Sequence, residues 1–341
     1  MSRFLLVRLG ALGDIVHAIP VAAALARAFP SARIDWLVSA RHRDLLELVP
    51  VIDRRIAIND RGSAGGESLG AAIRELRRTG YDVVFDLQGL LKSAVLARLS
   101  GAPRVVGFAS TYLRERLARP FYTAVHDPGG GGMYDPRERS HVVQMNLGLL
   151  NAVGITAPAV EFPINHGDTD TARAMREQAG GRYILANPGA AWPNKRWPAE
   201  RYGALARTLA ARQGLRTIVS WGPGEEPLAQ AVVRDAGGAA LLSPKTSIAD
   251  LVALIHGAAL MVSGDTGPTH IAAALGTPIV GIYGPTRPSR NGPWAPGDIT
   301  LSRDALCRCH HLRRCTQPRM CLLDIDAAEV AAAVERRLAA V

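Results

Sequence analysis

One structural unit repeats along this chain: an apolar run rich in leucine and valine, a short turn, and a helix of alanine, leucine and arginine. In the first half the apolar runs read RFLLVRL, RIDWLVS, YDVVFDLQ and RVVGF, beginning at residues 3, 33, 81 and 104. Strands that alternate with helices in this way form a largely parallel sheet covered by helices. The repeat therefore predicts an α/β chain whose first half is Rossmann-like.

The alternation of apolar runs and helical segments stops after residue 108. Residues 126–136 read HDPGGGGMYDP, and four consecutive glycines carry too much backbone entropy for regular structure. A helix is expected at about 137–153. The proline-rich, polar stretch that follows it, 155–170, suits a linker between domains.

The same unit returns in the second half, where apolar runs begin at residues 183, 216, 239 and 259. With 341 residues the chain is longer than one core usually holds, so two domains are expected. We place them at 1–165 and 166–323. A closing segment, 324–341, is predicted to be a helix capped by Asp324 or Asp326.

Parallel α/β sheets bind ligands outside the carboxyl ends of their strands, which makes nucleotide binding the first hypothesis. The loop after the first strand, RLGALGD, supplies only Gly10 and Gly13 and lacks the G-x-G-x-x-G spacing of dinucleotide sites. Asp35 stands about where the ribose partner belongs, but a lone Asp at the start of a strand is more often a surface residue. The sequence therefore argues against a dinucleotide in the first half.

The formal net charge of +10 attracts nucleic acid, anionic lipid or phosphorylated small molecules. Aromatic residues make up only 5% of the chain, which argues against stacking platforms and therefore against nucleic acid. The apolar run at 15–26 is interrupted by His17 and Pro20, and it is shorter than the roughly 20 residues of a membrane span. We expect a cytoplasmic protein without a secretory signal or a transmembrane helix.

The stretch SGDTGPTHIAAALG, which begins at residue 263, carries the strongest local signal. Its proline suits the first turn of a helix, so Thr266 and Gly267 lie where that helix begins. Unpaired N–H groups and the positive end of the helix dipole bind phosphate at such a position. His270 lies one turn further and can reach the same phosphate. The pattern predicts a pyrophosphate site, and the alternative is an ordinary helix cap at Asp265.

Two other loops of the second half follow strands in the same way. In NPGAAWPNKRWP, Gly189 leaves backbone amides accessible and Lys195 offers an ammonium group to a phosphate. In WGPGEE, Glu225 or Glu226 can accept hydrogen bonds from a ribose or a base, although acidic residues after a strand are often helix caps. The three loops together favour a nucleotide site in the second domain.

The motifs GALGD, DLQGLLKSA, NPGA with NKRWP, and GDTGPTHIAAALGTPIVGIYGPT, with a late cysteine cluster, resemble glycosyltransferase family 9, the lipopolysaccharide heptosyltransferases. The resemblance runs over nearly the whole chain. It implies a GT-B fold, two Rossmann-like domains facing a central cleft. It also implies that the C-terminal domain binds ADP-heptose, that the N-terminal domain binds the acceptor, and that the final helix packs back on the N-terminal domain.

The resemblance further implies inverting transfer that needs no metal or other cofactor for its chemistry. Such a reaction requires a base for the acceptor hydroxyl and positive groups for the departing diphosphate. Asp14 matches the family's base, although an Asp after a glycine-rich turn is also a common helix cap. Lys195, the amides at Thr266 and Gly267, and His270 match the groups that stabilise the diphosphate.

By the same matching, Asp265 anchors the donor heptose or its own loop, Thr246 lies beside the adenine, and Glu225 or Glu226 binds the ribose. The residues that match acceptor positions, facing the phosphates and carboxylates of a Kdo-lipid A type core, are Gln88, Lys92, Arg114 and Arg61. Two departures put the acceptor in question. Arg61 stands alone where the family's best-known members have an arginine cluster, and the donor loop has Ala190 and Ala191 where hydroxyl residues are usual.

The chain's four cysteines fall within one short segment, CRCHHLRRCTQPRMC: Cys307, Cys309, Cys315 and Cys321. Clustering in a cytoplasmic protein favours a metal over disulfides, and His310 and His311 add candidate ligands. The spacing is not that of a standard zinc finger. Some family members carry a four-cysteine iron site, so a structural Zn or Fe, reduced thiols and a disulfide all stay open.

Three classes of function follow from these observations. The first is a heptosyltransferase of lipopolysaccharide core assembly, peripheral at the inner face of the inner membrane, where a basic surface meets anionic lipid. The second is a family relative that uses another nucleotide sugar or a protein acceptor. The third is a nucleotide- or metal-binding module without enzymatic activity.

Overall fold

A computed structural model describes residues 1–59, 65–135, 137–138, 140–310 and 312–340 of the chain. It divides into two compact units, Met1–Asn165 and His166–Val341. Each unit contains one six-stranded sheet whose strands alternate with helices along the sequence. The predicted α/β class is therefore confirmed for both halves.

The first unit is built around a parallel sheet with the strand order β3-β2-β1-β4-β5-β6. These strands are β1 (Arg3–Val7), β2 (Arg33–Ser39), β3 (Arg54–Ile58), β4 (Val83–Asp86), β5 (Arg104–Phe108) and β6 (Ala124–His126). The helices are α1 (Leu12–Val16), α2 (Ile19–Ala28), α3 (Arg43–Glu47), α4 (Leu69–Thr79), α5 (Leu91–Leu99) and α6 (Val142–Gly148).

The centre of this sheet is buried on both faces, which explains why its strands read as continuous apolar runs instead of alternating ones. Leu5, Leu6 and Val7 of β1 are fully buried, and so is Trp36 of β2. The strand order reverses between β1 and β4. Loops that leave neighbouring strands in opposite directions open a crevice at such a switch point.

The second unit repeats the plan with the strand order β12-β11-β10-β7-β8-β9, again with parallel pairs. Its strands are β7 (Tyr183–Asn187), β8 (Arg216–Val219), β9 (Ala240–Leu242), β10 (Leu260–Gly264), β11 (Ile279–Tyr283) and β12 (Ile299–Ser302). Its helices are α7 (Asp170–Ala179), α8 (Ala199–Gln213), α9 (Glu226–Asp235), α10 (Ile248–His256), α11 (Gly267–Leu275), α12 (Pro288–Asn291) and α13 (Ala327–Ala339).

The final helix, α13, has its apolar face in the core of the second unit. Val330, Ala333 and Val334 are buried there in the same cluster as Trp197, and the helix contacts α8 and the strands β10 to β12. The resemblance implied packing on the N-terminal domain. The apolar stripe of this amphipathic helix is covered within its own unit, and packing on the N-terminal domain stays a prediction. Asp326 caps the helix, accepting the Glu329 N–H at 2.8 Å.

The helix expected at 137–153 is shorter than predicted. It begins at Val142, where the His141 ring accepts the Val143 N–H at 3.2 Å, and it continues as a 3₁₀ turn over Leu149–Val153. Just before it, the Glu138 carboxylate accepts the Ser140 N–H at 2.8 Å. Such local side-chain bonds to the backbone compete with helix formation, which explains the late start.

Two candidate residues, Arg61 and His311, lie outside the described residues. Across the described part of the chain, no helix combines the length and the apolar character that a membrane crossing requires.

Candidate functional site

The predicted phosphate-binding loops of the second unit lie side by side at the carboxyl edge of its sheet. The strand order reverses between β7 and β10, which are hydrogen-bonded neighbours. The loop after β7 carries Gly189 and Lys195, and the loop after β10 carries Asp265, Thr266 and Gly267. The two loops therefore meet at the switch point, where open α/β sheets bind ligands.

A buried ionic cluster joins these loops. The Lys195 ammonium lies 2.5 Å from Oδ2 of Asp265, and Nε2 of His270 lies 3.1 Å from Oδ1 of the same carboxylate. The side chains of Asp265 and His270 are 4% and 5% exposed, whereas that of Lys195 is 16% exposed. Lys195 also lies over the Trp192 ring, 4.6 Å from its centroid. The sequence predicted all three ionic residues, and the fold brings them together.

Asp265 is the anionic centre of this cluster. Burial alone would raise the pKa of its carboxyl group, but the hydrogen bond from His270 and the nearby Lys195 ammonium outweigh burial and hold that pKa well below its usual range. Both carboxylate oxygens are engaged by side chains of the protein. Of the two roles expected for Asp265, this geometry fits anchoring of the loop and of Lys195.

Helix α11 begins directly after Asp265 and contains His270, with Thr266 at its N-cap and proline in its first turn. The first turn of a helix leaves N–H groups unpaired within the helix, and the dipole favours an anion there. The Thr266 hydroxyl lies 3.2 Å from the Ser263 hydroxyl and 3.1 Å from the Thr269 hydroxyl, so its contacts are with neighbouring side chains of the same segment. The backbone amides are therefore the better phosphate donors.

Gly189 and Glu225 are in direct contact. The Glu225 carboxylate accepts the Gly222 N–H at 3.1 Å, and a Cβ built on Gly189 would lie 2.0 Å from Oε2 of Glu225. A side chain at position 189 would therefore displace the glutamate. The glycine is needed for this close approach, which differs from the accessibility of backbone amides that the sequence suggested.

Glu226, by contrast, lines a cavity of about 610 Å³ between the ends of β8 and β9 and helix α7. Trp221 closes one side, and its indole N–H donates to the Ser243 carbonyl at 2.9 Å. Lys245 lines the same cavity, and the half-buried Thr246 follows it in the chain. A cavity of this size accommodates a nucleoside. The two glutamates therefore differ in their surroundings, and Glu226 is the one that borders a ligand-sized space.

Asp14 lies in the first turn of α1, just beyond the carboxyl end of β1. Its Oδ2 accepts the Ala11 N–H at 3.0 Å and lies 2.8 Å from the Arg8 guanidinium. The side chain is 39% exposed. The capping role that the sequence offered as an alternative is thus present, and the exposed carboxylate is still accessible to a substrate.

The predicted acceptor residues that the structure describes, Gln88, Lys92 and Arg114, lie in the same unit as Asp14. Gln88 follows β4, where its Oε1 accepts the Leu9 N–H at 2.7 Å. Lys92 and Arg114 are exposed. The Leu91 N–H donates to the Glu115 carboxylate at 2.8 Å, so the segments that carry Lys92 and Arg114 are held together.

A family model described as glycosyltransferase family 9 (heptosyltransferase) matches residues 69–319. This chain belongs to glycosyltransferase family 9. It is therefore a glycosyltransferase, as its motifs predicted. It is 31% identical to lipopolysaccharide heptosyltransferase 1 of Pseudomonas aeruginosa over 326 residues, which cover 92% of this chain and 87% of that relative.

Solved structures of glycosyltransferase family 9 share the fold. The heptosyltransferase WaaC of Escherichia coli with ADP is 26% identical, with a TM-score of 0.75 over 98% of this chain and 100% of that chain. The same enzyme with ADP-2-deoxy-2-fluoro heptose gives a TM-score of 0.73 at 26% identity, over 98% and 99% of the two chains. This likeness confirms the predicted GT-B fold type, with its two Rossmann-like units.

The cysteine cluster lies in the segment between β12 and α13 of this glycosyltransferase, and all four residues are free thiols. The Cys309 and Cys315 sulfurs are 3.3 Å apart, and hydrogen bonds from Thr316 hold the pKa of the Cys309 thiol below its usual range. In the described segments, no three His, Cys, Asp or Glu side chains are arranged to hold a metal ion. The described geometry thus adds no support for the structural metal.

Sequence reasoning missed several residues at these sites. Trp221, Ser243 and Lys245 follow β8 and β9, so their position at the carboxyl ends of strands was a usable signal. Helix α7 contributes Thr171 and Met175 to the wall of the same cavity. No sequence pattern indicated this contact, because these residues lie about 50 positions before Trp221 in the chain. Arg8, the ionic partner of Asp14, was missed because it belongs to an otherwise apolar run.

Proposed function

We propose that this glycosyltransferase transfers heptose from ADP-heptose to a lipopolysaccharide precursor, with inversion at the anomeric carbon. The observation that carries the proposal is the buried Lys195, Asp265 and His270 cluster where α11 begins. The names of its relatives and the ADP and ADP-heptose analogue bound to the Escherichia coli enzyme support this donor. A site that offers an ammonium and helix N–H groups side by side suits a diphosphate.

The departing ADP gains negative charge as the glycosidic bond to its diphosphate breaks. Lys195 is held 2.5 Å from Asp265 and is the most exposed member of the cluster, so its ammonium can turn to the diphosphate while Asp265 keeps it nearby. The amides of Thr266 and Gly267 add dipoles that are already oriented. Such preorganised groups stabilise the transition state without reorganisation cost.

The bond that forms joins an acceptor oxygen to the anomeric carbon. Asp14 takes the proton of that acceptor hydroxyl, and the electron pair of the breaking bond leaves with ADP. Arg8 and the Ala11 N–H hold Oδ2 of the Asp14 carboxylate in place. The other carboxylate oxygen, Oδ1, is then the one that accepts the proton of the acceptor hydroxyl. In this proposal no metal ion or other cofactor takes part.

The nucleoside of the donor occupies the cavity bordered by Glu226. This glutamate accepts a ribose hydroxyl, and the ring of Trp221 and the loop through Lys245 and Thr246 contact the adenine. Glu225 supports the site from within, because its carboxylate is already engaged with Gly222.

The acceptor binds the first unit, and the enzyme works at the cytoplasmic face of the inner membrane. A net charge of +10 supports this location, since basic surfaces are attracted to anionic lipid headgroups. Lys92 and Arg114, both exposed, are the acceptor-side cations of this proposal.

Nucleotide binding tests the donor half of the proposal. The thermal midpoint is measured with ADP, UDP and GDP at equal concentration, because a ligand that binds only the folded state raises it. We expect a shift with ADP that Lys195→Ala reduces and that Lys92→Ala, a lysine of the other unit, leaves unchanged. A shift with UDP or GDP in place of ADP would indicate another donor, and no shift with any nucleotide would contradict the proposed site.

A further inference from the structure

A second, smaller cavity lies in the first unit, at the switch point of its sheet. It measures about 180 Å³ and is lined by the ends of three neighbouring strands: Gly10 after β1, Ser39 with Arg41 and His42 at the end of β2, and Gln88 after β4. Since one water molecule takes about 30 Å³ in the liquid, the space holds one small group and a few waters. It is too small for a nucleotide, whose sites usually exceed about 300 Å³.

The lining of this cavity supplies hydrogen-bond donors and positive charge. Arg41 is exposed and carries a fixed charge, and His42 and Ser39 lie beside it. The Gln88 oxygen accepts the Leu9 N–H at 2.7 Å, so its amide NH₂ is the part of this side chain that can donate to a ligand. Among the described residues that line the cavity, there is no carboxylate. This lining matches a carboxylate or a phosphate.

The wall of the cavity is closely packed on the side formed by the loop between β1 and α1. A Cβ on Gly10 would lie 2.9 Å from Cδ2 and 3.0 Å from Nε2 of His42, so backbone and imidazole are in contact there. Ala11, the next lining residue, donates its N–H to Oδ2 of Asp14 at 3.0 Å. A group bound in the cavity therefore lies next to the residue that is hydrogen-bonded to the proposed base, Asp14.

We propose that this cavity binds an anionic group of the acceptor, a carboxylate or a phosphate, and that Arg41 is its principal ligand. The inference rests on the proposed function, because it makes Arg41, His42 and Gln88 the residues that place the acceptor hydroxyl at Asp14. Arg41 thereby becomes a specificity-determining residue, distinct from Lys92 and Arg114, which the sequence motifs indicated.

The test compares Arg41→Ala with Arg43→Ala in the full-length enzyme. Arg43 is also exposed, and its guanidinium pairs with Glu47 at 2.8 Å instead of lining the cavity. The loss of a charge-assisted hydrogen bond predicts that Arg41→Ala raises the KM for a Kdo-lipid A acceptor about tenfold or more, with the KM for ADP-heptose unchanged. Arg41→Lys keeps the positive charge but loses the paired N–H donors of the guanidinium, so its KM for the acceptor should lie between those of the unmutated enzyme and Arg41→Ala. Arg43→Ala should match the unmutated enzyme.

Two acceptor analogues distinguish the sources of the anion. If the cavity holds a carboxylate, the effect of Arg41→Ala on KM disappears with an acceptor whose sugar carboxylates are esterified. If the cavity holds a phosphate, the effect disappears with a dephosphorylated acceptor. An effect no larger than that of Arg43→Ala, or one that persists with both analogues, overturns the inference while transfer itself continues. If the unmutated enzyme neither binds nor glycosylates the acceptor, the proposed function fails, and this inference fails with it.

Discussion

Asp265→Asn removes the charge at the centre of the donor-site cluster while keeping the size of the side chain. Lys195 and His270 then lose the carboxylate that both of them contact at 2.5 and 3.1 Å. Breaking a buried ionic interaction by removing one partner costs about 3 kcal/mol or more. For a unit of this size, we expect the thermal midpoint of the second unit to fall by roughly 6 to 12 °C at pH 7.

The assay can follow the second unit separately. Trp36 lies in the first unit, and the other tryptophans, which dominate the fluorescence, lie in the second: Trp192, Trp197, Trp221 and Trp294. Urea and thermal unfolding are therefore recorded by tryptophan fluorescence. Asp170→Asn serves as the matched control, because its ion pair with Arg173 is on the surface and should leave the midpoint unchanged.

The pH dependence identifies the mechanism. The folded pKa of Asp265 is depressed, so its stabilising contribution is complete above the unfolded pKa of about 3.9 and is lost as pH falls toward the folded value. The difference between the unmutated protein and Asp265→Asn should therefore shrink below about pH 4, by up to roughly 1.4 kcal/mol per pH unit. A difference at pH 7 as small as that of Asp170→Asn, or one that does not change with pH, would refute this reasoning.

Three further changes test the rest of the site. Asp14→Asn should lower kcat for transfer by about 100-fold or more through loss of the general base, while the ADP-induced rise in the thermal midpoint stays unchanged; retained transfer would leave Asp14 with its capping role alone. Glu226→Gln should weaken ADP binding measured by calorimetry several-fold more than Glu225→Gln does, and the reverse order would exchange their roles. Gly189→Ala should weaken ADP binding and lower the midpoint, because its Cβ would lie 2.0 Å from Glu225; an unchanged midpoint would show that the loop can adjust.

The sequence predicted the architecture well because the architecture depends on local, repeated information. Apolar runs such as those at β1 and β10 identify strands that are buried on both faces, and the helices between them dictate parallel pairing. The helix before the linker was predicted too long because Glu138 and His141 bond to nearby backbone N–H groups. Those bonds depend on side-chain rotamers, which a residue pattern does not contain.

The site was predictable to the extent that it follows strand ends. Lys195, Asp265 and His270 were identified from two loops, but their mutual ion pairing requires the adjacency of β7 and β10, which are separated by two intervening strands in sequence. The lining of the first-unit cavity could not be predicted for the same reason. Arg41 and His42 follow the second apolar run of the sequence, and only the order of β2, β1 and β4 brings them beside Gln88.

Transfer itself is the most direct test of the central claim. The purified enzyme is incubated with ADP-heptose and a Kdo-lipid A acceptor, ADP release is followed continuously, and the anomeric configuration of the new linkage is determined by NMR. The account predicts ADP release that depends on the acceptor and a heptosyl linkage of configuration opposite to that of the donor. Retained configuration, or no transfer from ADP-heptose while another nucleotide sugar is consumed, would contradict it.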